Sequence, residues 1–229
     1  MPAQWLFSGG RMMTRAMLLA TILSCTCEPK IGYLTTSSNS QIHRFRARNG
    51  QYLGYVFAAP GLRRRTSISI NPKSTGNHDT CLDWALVKVM DERIGPNILG
   101  EGDKSGQLRL ASAEVVKELT DEELYIYGRT SGHSKGPYGG PRPAMVSEDN
   151  INGKKVFIET IEHSITQTGD KPFFPQGDSG AIVYLENYAM AGLLFAGGLQ
   201  TKLPFFTHID DLFSDITRVT RADGIRLLP

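Results

Sequence analysis

Turn signals recur at short intervals along this chain, and they constrain its fold more than any other feature. Glycine and proline contribute 24 and 12 of the 229 residues, and many of them stand in pairs that favour tight turns. The pairs are Asn49-Gly50, Pro60-Gly61, Asn71-Pro72, Gly95-Pro96, Gly136-Pro137, Gly139-Gly140 and Asn152-Gly153. Short apolar runs separated in this way predict an all-β sandwich or barrel.

The apolar runs between the turns are the predicted strands. They are Thr21–Cys27, Ile31–Thr36, Gln51–Ala58, Ser67–Ile70, Ala85–Val89, Leu124–Gly128, Lys155–Ile161, Ala181–Tyr184, Ala189–Phe195 and Phe205–Thr207. The glycine-rich segment Gly132–Gly140 is predicted to be a loop, with His133 in solvent.

One helix is predicted near the C-terminus, where apolar residues recur at helical spacing. Thr207 and Asp210 precede this stripe and resemble a capping box with Asp in place of Glu. Ser112–Thr120 carries a weaker stripe, which predicts either a short helix or only a turn. The stripe near the C-terminus consists of Ile209, Leu212, Phe213, Ile216 and Val219.

Composition excludes several classes of protein. Hydrophobic residues make up 40% and charged residues 21% of the chain, which is ordinary for a globular protein and excludes disorder, collagen and a membrane bundle. The formal net charge is only +2, so a nucleic-acid partner is not expected. However, the segment 29–78 has no acidic residue and eight cations. That segment predicts either a polyanion-binding face or, preferably, solvated strands and one basic loop.

The three cysteines do not form the pattern of a secreted disulfide framework. Cys25 and Cys27 are too close together for a usual zinc knuckle, and Cys81 stands alone. A sparse and odd number of cysteines favours reduced thiols and an intracellular compartment. The apolar run Ala16–Leu23 resembles a weak signal peptide, but it is too short to span a bilayer. We therefore expect no membrane span.

The most informative segment is a Gly-Asp-Ser-Gly tetrad followed by a strongly apolar strand. Gly177 has no Cβ and can adopt the unusual dihedral angles that aim a backbone N–H into a site. Asp178 can hold the loop, Ser179 supplies a hydroxyl, and Gly180 leaves room for substrate. The N–H groups of Gly177 and Ser179 are predicted to converge as an oxyanion hole.

The segments around the tetrad strengthen its interpretation. Upstream, the segment 81–89 places Asp83 at the start of an apolar strand, and the segment 127–132 predicts a strand and then a turn. Downstream, Ala191–Gly197 follows Ser179 after a hairpin. This ordered set resembles the chymotrypsin-like (trypsin-like) serine peptidase family, and more narrowly the disulfide-poor trypsin-like proteins of fungal genomes. The resemblance extends from Cys81 to Ile216.

The resemblance implies two six-stranded antiparallel barrels with an active site between them, followed by the C-terminal helix. Residues 1–100 would form the N-terminal barrel, which is short of strands, and residues 101–229 would form the second barrel with the helix. The resemblance carries the nucleophile to Ser179 and the histidine-orienting acid to Asp83.

The general base departs from the family pattern. The family places its histidine directly after a strand end, but here Thr36 is followed by the polar segment 37–41, which contains no histidine. His43 is the candidate that keeps the order His, Asp, Ser, although it lies seven residues after Thr36. The sequence therefore leaves two alternatives: a serine endopeptidase that uses His43, or an inactive homologue that binds a peptide or a protein partner.

Alignment on Ser179 also implies the lining of a substrate pocket. Phe173 occupies the position where trypsins carry Asp, and Phe195, Ala196 and Gly197 match the segment that lines the pocket. A small or apolar substrate side chain is therefore expected in a polypeptide substrate. The sequence has no metal, phosphate-loop or dinucleotide motif, so no cofactor is predicted.

Overall fold

The structure is a computed structural model. It describes residues 4–8, 16–20, 54–59, 63–68, 78–91, 94, 97–99, 106–109, 119–140, 142–151, 153–166, 177–197 and 203–227. Within these residues the regular structure consists of seventeen strands and one helix. This arrangement confirms the predicted all-β fold with a C-terminal helix.

The larger sheet has six strands, which are β9 (Glu123–Gly128), β10 (Gly132–Pro137), β13 (His163–Ser164), β14 (Ile182–Tyr184), β15 (Met190–Gly197) and β16 (Pro204–His208). Each strand is antiparallel to its neighbours in the order β10-β9-β14-β15-β16-β13. Alternate residues of β9 are buried, as expected for a strand with one face on the core. β14 and β16 are buried along their whole length, which explains the apolar sequence of β14 and of the first three residues of β16.

The second sheet has five strands, which are β1 (Gln4–Ser8), β2 (Ala16–Ala20), β3 (Gly54–Ala58), β6 (Ala85–Val89) and β17 (Gly224–Leu227). Their order in the sheet is β17-β1-β2-β6-β3. Three further antiparallel pairs are β4 (Arg63–Thr66) with β5 (Asp79–Leu82), β7 (Ile98–Leu99) with β8 (Gly106–Gln107), and β11 (Ala144–Ile151) with β12 (Lys154–Ile161). The last strand, β17, thus pairs with the first.

One apolar core joins the segments on both sides of residue 100. Leu82, Trp84 and Leu86 pack in the same buried cluster as Leu193 of β15 and Leu212 of the helix. Trp84 is fully buried, and burial of a side chain of this size contributes a large share of core stability. The segment that carries Asp83 is therefore packed onto the six-stranded sheet. The division at residue 100 stays a prediction.

The helix α1 (Ile209–Thr220) begins one residue later than the capping prediction requires. Its N-cap is His208, whose Nδ1 accepts a hydrogen bond from the Asp210 N–H at 3.2 Å. The predicted cap, Thr207, instead donates its hydroxyl to the Cys81 carbonyl at 3.0 Å. The cap prediction was wrong because this hydroxyl bonds a distant strand rather than its own helix. The predicted apolar stripe is correct, since Ile209, Leu212 and Ile216 are buried.

The loop predicted over Gly132–Gly140 is wrong in its first part, because residues 132–137 form β10 against β9. A Cβ on Gly136 would lie 2.4 Å from the Thr166 carbonyl oxygen. Glycine is thus needed there for the close approach of another backbone, which is a reason for glycine within a strand. His133 is exposed, as predicted.

Other predicted elements differ in their positions or lie outside the described residues. The strand predicted at residues 67–70 is found earlier, as β4, where Arg65 pairs with Thr80. The strands predicted over residues 21–27 and 31–36 lie outside the described residues. The described helix is too short and too polar to cross a membrane.

Candidate functional site

Ser179 lies in a tight turn between two glycines that adopt left-handed backbone angles. Gly177 has φ +108° and Gly180 has φ +87°, angles that a side chain would make costly. The Ala181 N–H bonds the Asp178 carbonyl at 2.9 Å, and the Gly180 N–H bonds the Leu194 carbonyl at 2.7 Å. These bonds close the turn and attach it to β15. The tetrad is therefore a rigid turn at the start of β14, as its glycines predict.

The Ser179 hydroxyl points towards the neighbouring strand. Its Oγ is half-buried and donates to the Phe195 carbonyl oxygen at 3.4 Å. This bond is long for O–H···O and therefore weak. A weakly held, partly accessible hydroxyl can exchange its partner for a substrate or a base without a large energetic cost.

Asp178 anchors the turn from inside the protein. Its carboxylate is 1% exposed and accepts hydrogen bonds from the backbone N–H groups of Thr130 at 2.7 Å and Ser131 at 3.2 Å. A Cβ on Gly128 would lie 2.4 Å from the Asp178 carboxyl carbon. The turn after β9 and the turn that carries Ser179 are consequently built as one unit. This is the holding role that the sequence predicts for Asp178.

Asp83 is buried, with 1% of its surface exposed, in the two-residue connection between β5 and β6. The residues on both sides of it are held by the C-terminal part of the chain. The Cys81 N–H donates to Glu162 Oε1 at 2.8 Å, and the Trp84 Nε1–H donates to Asp215 Oδ2 at 3.0 Å. The backbone of Asp83 is therefore fixed from two directions.

A short series of contacts joins the Asp83 segment to Ser179. The Phe195 carbonyl accepts the Ser179 hydroxyl, and the Phe195 side chain packs in a buried cluster with Cys81 and Phe205. Cys81 precedes Asp83 by two residues. The two predicted site residues thus lie on segments that share one neighbour, Phe195.

Glu162 is the most unusual ionisable group near this site. It is fully buried and, besides the Cys81 N–H, accepts the Thr80 hydroxyl at 2.7 Å. Burial raises the pKa of Glu162 to about 7, and the negative charge of Asp211 adds to this effect, while its hydrogen bonds partly oppose it. The carboxyl group therefore changes its charge near neutral pH.

Four histidines lie within the described residues. His163 is buried, its Nδ1 lies 2.8 Å from the Tyr138 hydroxyl, and burial holds its pKa well below the ordinary range, assisted by His208 and Arg142. The rings of His163 and His208 lie 4.9 Å apart, and His208 caps α1. His78 and His133 are exposed. His43, the predicted base, lies outside the described residues.

The predicted pocket is described only in part. The Phe195 side chain is 2% exposed and belongs to the cluster with Cys81, so the group that it offers to Ser179 is its carbonyl. Ala196 is half-buried and Gly197 is exposed at the end of β15. Phe173 lies outside the described residues. The pocket lining and the oxyanion hole stay predictions.

No protein-family model and no curated protein matches this chain. Solved structures that resemble it include a glutamic acid specific serine protease described as using a histidine triad in substrate binding (9% identity, TM-score 0.47, covering 99% of this chain and 98% of that one). A second is Protease A of Thermobifida fusca (14% identity, TM-score 0.43, covering 77% of this chain and 90% of that one). A third is the chymotrypsin of Cellulomonas bogoriensis (15% identity, TM-score 0.40, covering 77% of this chain and 89% of that one).

The three are described as a serine protease, a protease and a chymotrypsin. The sequence resemblance is likewise to chymotrypsin-like serine proteases. At these identities and TM-scores the three structures assign no role to any residue here. The proposals below therefore rest on the contacts of this chain.

The groups that hold the neighbours of Asp83 could not be identified from the sequence. Glu162, Thr207 and Asp215 bond residues that are 81, 126 and 131 positions away in the chain. The one available signal was the adjacent pair Glu162-His163 directly after Ile161, because adjacent ionisable residues are rare in a core.

Proposed function

We propose that this chain is a serine endopeptidase of the chymotrypsin type. Ser179 Oγ attacks the carbonyl carbon of a peptide bond, and its proton passes to a histidine that Asp83 orients. The tetrahedral oxyanion is held by the N–H groups of Gly177 and Ser179. An acyl-enzyme ester forms as the amine leaves, and water then hydrolyses it.

The observation that carries this proposal is the conformation of the Ser179 turn. Two flanking glycines at positive φ and the buried Asp178 anchor present a half-buried hydroxyl at the start of a core strand. Glycine adopts positive φ at little cost, so these two positions allow the turn, and the buried Asp178 carboxylate fixes it through the Thr130 and Ser131 N–H groups. A plain hairpin loop requires neither the buried carboxylate nor the second glycine.

His43 is the base in this proposal. Within the described residues, two histidines are buried. His163 is engaged by Tyr138 and His208 by the start of α1, and both follow Asp83 in the chain. His43 keeps the order of histidine, aspartate and serine that the sequence resemblance implies. A peptide with a small or apolar side chain is the proposed substrate.

A fluorophosphonate probe tests the nucleophile directly, because it forms a covalent bond only with an activated serine. We expect labelling of the wild-type chain and none of Ser179→Ala. The His43→Ala variant is expected to lose nearly all labelling, since triad members act as a unit. An exposed serine, as in Ser214→Ala, is the matched control and is expected to leave labelling unchanged.

The alternative function is that of an inactive homologue that binds a peptide through the same surface. It is favoured by the polar segment 37–41, which contains no histidine where the family places one. Absence of labelling in the folded wild-type chain would overturn the peptidase proposal and support this alternative. Labelling that survives in His43→Ala but not in Ser179→Ala would assign the base to another group.

A further inference from the structure

The segment from Thr80 to Trp84 is held by side chains of the C-terminal part of the chain, on both sides of Asp83. On its N-terminal side, the Thr207 hydroxyl bonds the Cys81 carbonyl and the Glu162 carboxylate bonds the Cys81 N–H. On its C-terminal side, Asp215 accepts the Trp84 indole N–H and is itself paired with Arg218 at 2.7 Å. Asp83 therefore lies between two sets of hydrogen bonds from the C-terminal part of the chain.

We propose that Glu162 is a positioning residue for Asp83, acting through the end of strand β5. This inference rests on the proposed peptidase function, in which Asp83 orients the base. Glu162 contacts neither the substrate nor Ser179 in this scheme. It fixes the backbone two residues before Asp83, and its effect on turnover passes through that backbone.

The geometry supports a specific hold rather than general packing. Both carboxylate oxygens of Glu162 are used, one by the Cys81 N–H at 2.8 Å and the other by the Thr80 hydroxyl at 2.7 Å. Its own N–H donates to the Pro143 carbonyl at 3.1 Å, so the acceptor is anchored at its backbone. Hydrogen bonds to a buried carboxylate are short and strong.

The surroundings of Glu162 indicate what its side chain contributes. The buried Cys81 N–H would lose this acceptor if the carboxylate were removed, and the loss of an acceptor is costly for a buried donor. Asp211 of α1 is the charged group that faces Glu162, and β12 contributes the uncharged Thr160. Asp211 in turn accepts the Ser67 hydroxyl and the Ile68 N–H, so it fixes the chain beyond β4, the partner strand of β5.

Two variants separate positioning from mere stability. Glu162→Ala removes both acceptors, whereas Glu162→Gln keeps an amide oxygen for the Cys81 N–H. With p-nitroanilide peptides that end in Ala or Phe, we expect kcat to fall about 100-fold in the Ala variant while KM stays within about twofold. The Gln variant is expected to recover most of this loss. Leu124→Ala, a buried truncation in β9, is the control for lost stability alone and is expected to keep kcat per folded molecule.

A second measurement does not depend on activity. Cys81 carries a buried thiol, and its alkylation by iodoacetamide, located by peptide mass spectrometry, reports opening of β5. We expect alkylation to be roughly tenfold faster in Glu162→Ala than in the wild type and restored to near wild-type rates in Glu162→Gln. Unfolding curves for both variants identify any contribution from global unfolding.

The two measurements distinguish the two proposals. Protected Cys81 and unchanged kcat in the Ala variant would overturn the role of Glu162 and leave the peptidase function intact. If the wild-type chain shows no turnover but Cys81 is alkylated rapidly in the Ala variant, the peptidase function is overturned. The role of Glu162 in fixing β5 is then retained. A fall in kcat that Gln does not rescue would overturn the assignment to the Cys81 hydrogen bond.

Discussion

Replacement of Glu162 by Gln is expected to make this protein more stable at alkaline pH. The carboxyl group is fully buried, and burial raises its pKa from an ordinary value of 4.5 to about 7. Gln has the shape of the protonated acid but cannot ionise. The variant should therefore behave like the wild type in acid and should avoid the cost of a buried charge at higher pH.

The magnitude follows from the two pKa values. A glutamate in the unfolded chain releases its proton near 4.5, and Glu162 in the folded chain keeps its proton to about 7. The stability contributed by the neutral carboxyl is thus complete below 4.5 and is lost as the pH rises through about 7. At about 1.4 kcal/mol per pH unit, the loss amounts to about 3 kcal/mol.

The assay is urea unfolding of the wild type and Glu162→Gln at intervals from pH 4.5 to 8. The difference between the two stability curves is needed because His163 changes stability with pH in the opposite direction to Glu162. Its pKa is held below the ordinary 6.5 by burial, by His208 and by Arg142, so its contribution is lost as the pH falls below 6.5. That loss is common to both proteins and cancels in the difference.

The matched control is Glu123→Gln, the same chemical change at an exposed carboxyl. The hydrogen bond from Lys135 is the largest cause that keeps the pKa of Glu123 below its ordinary value, so its difference curve is expected to be flat from pH 5 to 8. A flat curve for Glu162→Gln as well, or one that falls as the pH rises, would refute the reasoning. Either result would mean that Glu162 ionises in the folded chain at least as easily as in water.

Two further substitutions test the site and its supports. Gly177→Ala would place a Cβ 2.5 Å from Arg129 Nη2 at φ +108°, and we expect it to lower the free energy of unfolding in urea by about 1–3 kcal/mol and to abolish fluorophosphonate labelling. The control is Gly132→Ala, at φ +64° in open space. It should cost about 1 kcal/mol of stability and retain labelling. Trp84→Phe removes the hydrogen bond to Asp215 and is expected to cost about 1.5–3 kcal/mol in thermal unfolding; an unchanged midpoint would contradict that bond.

The parts of the fold that follow local rules could be predicted from the sequence. The helical period of Ile209, Leu212 and Ile216 predicted α1, and the two glycines around Ser179 predicted its turn. These features depend on backbone preference and on which face is apolar, and both properties are present in a short stretch of chain. The strand Ala85–Val89 was predicted with its observed ends for the same reason.

The side-chain bonds could not be predicted because each group had a local alternative of similar strength. The Thr207 hydroxyl could cap a helix three residues away or bond a carbonyl 126 residues away, and its sequence fits both. Only the packed structure decides between them, since the buried Cys81 carbonyl must find a donor. Gly136 is similar, because its lack of a side chain suits both a loop and a close contact with the Thr166 backbone.

Two buried carboxylates support this site in the same manner. Asp178 accepts backbone N–H groups from the turn after β9 and so holds the loop that carries Ser179. Glu162 accepts the Cys81 N–H and so holds the strand that ends before Asp83. In the proposed mechanism, Ser179 and Asp83 each take their position from a buried carboxylate that does not contact the substrate. A substitution at either carboxylate is then expected to alter geometry before it alters chemistry, and turnover should respond more strongly than substrate binding.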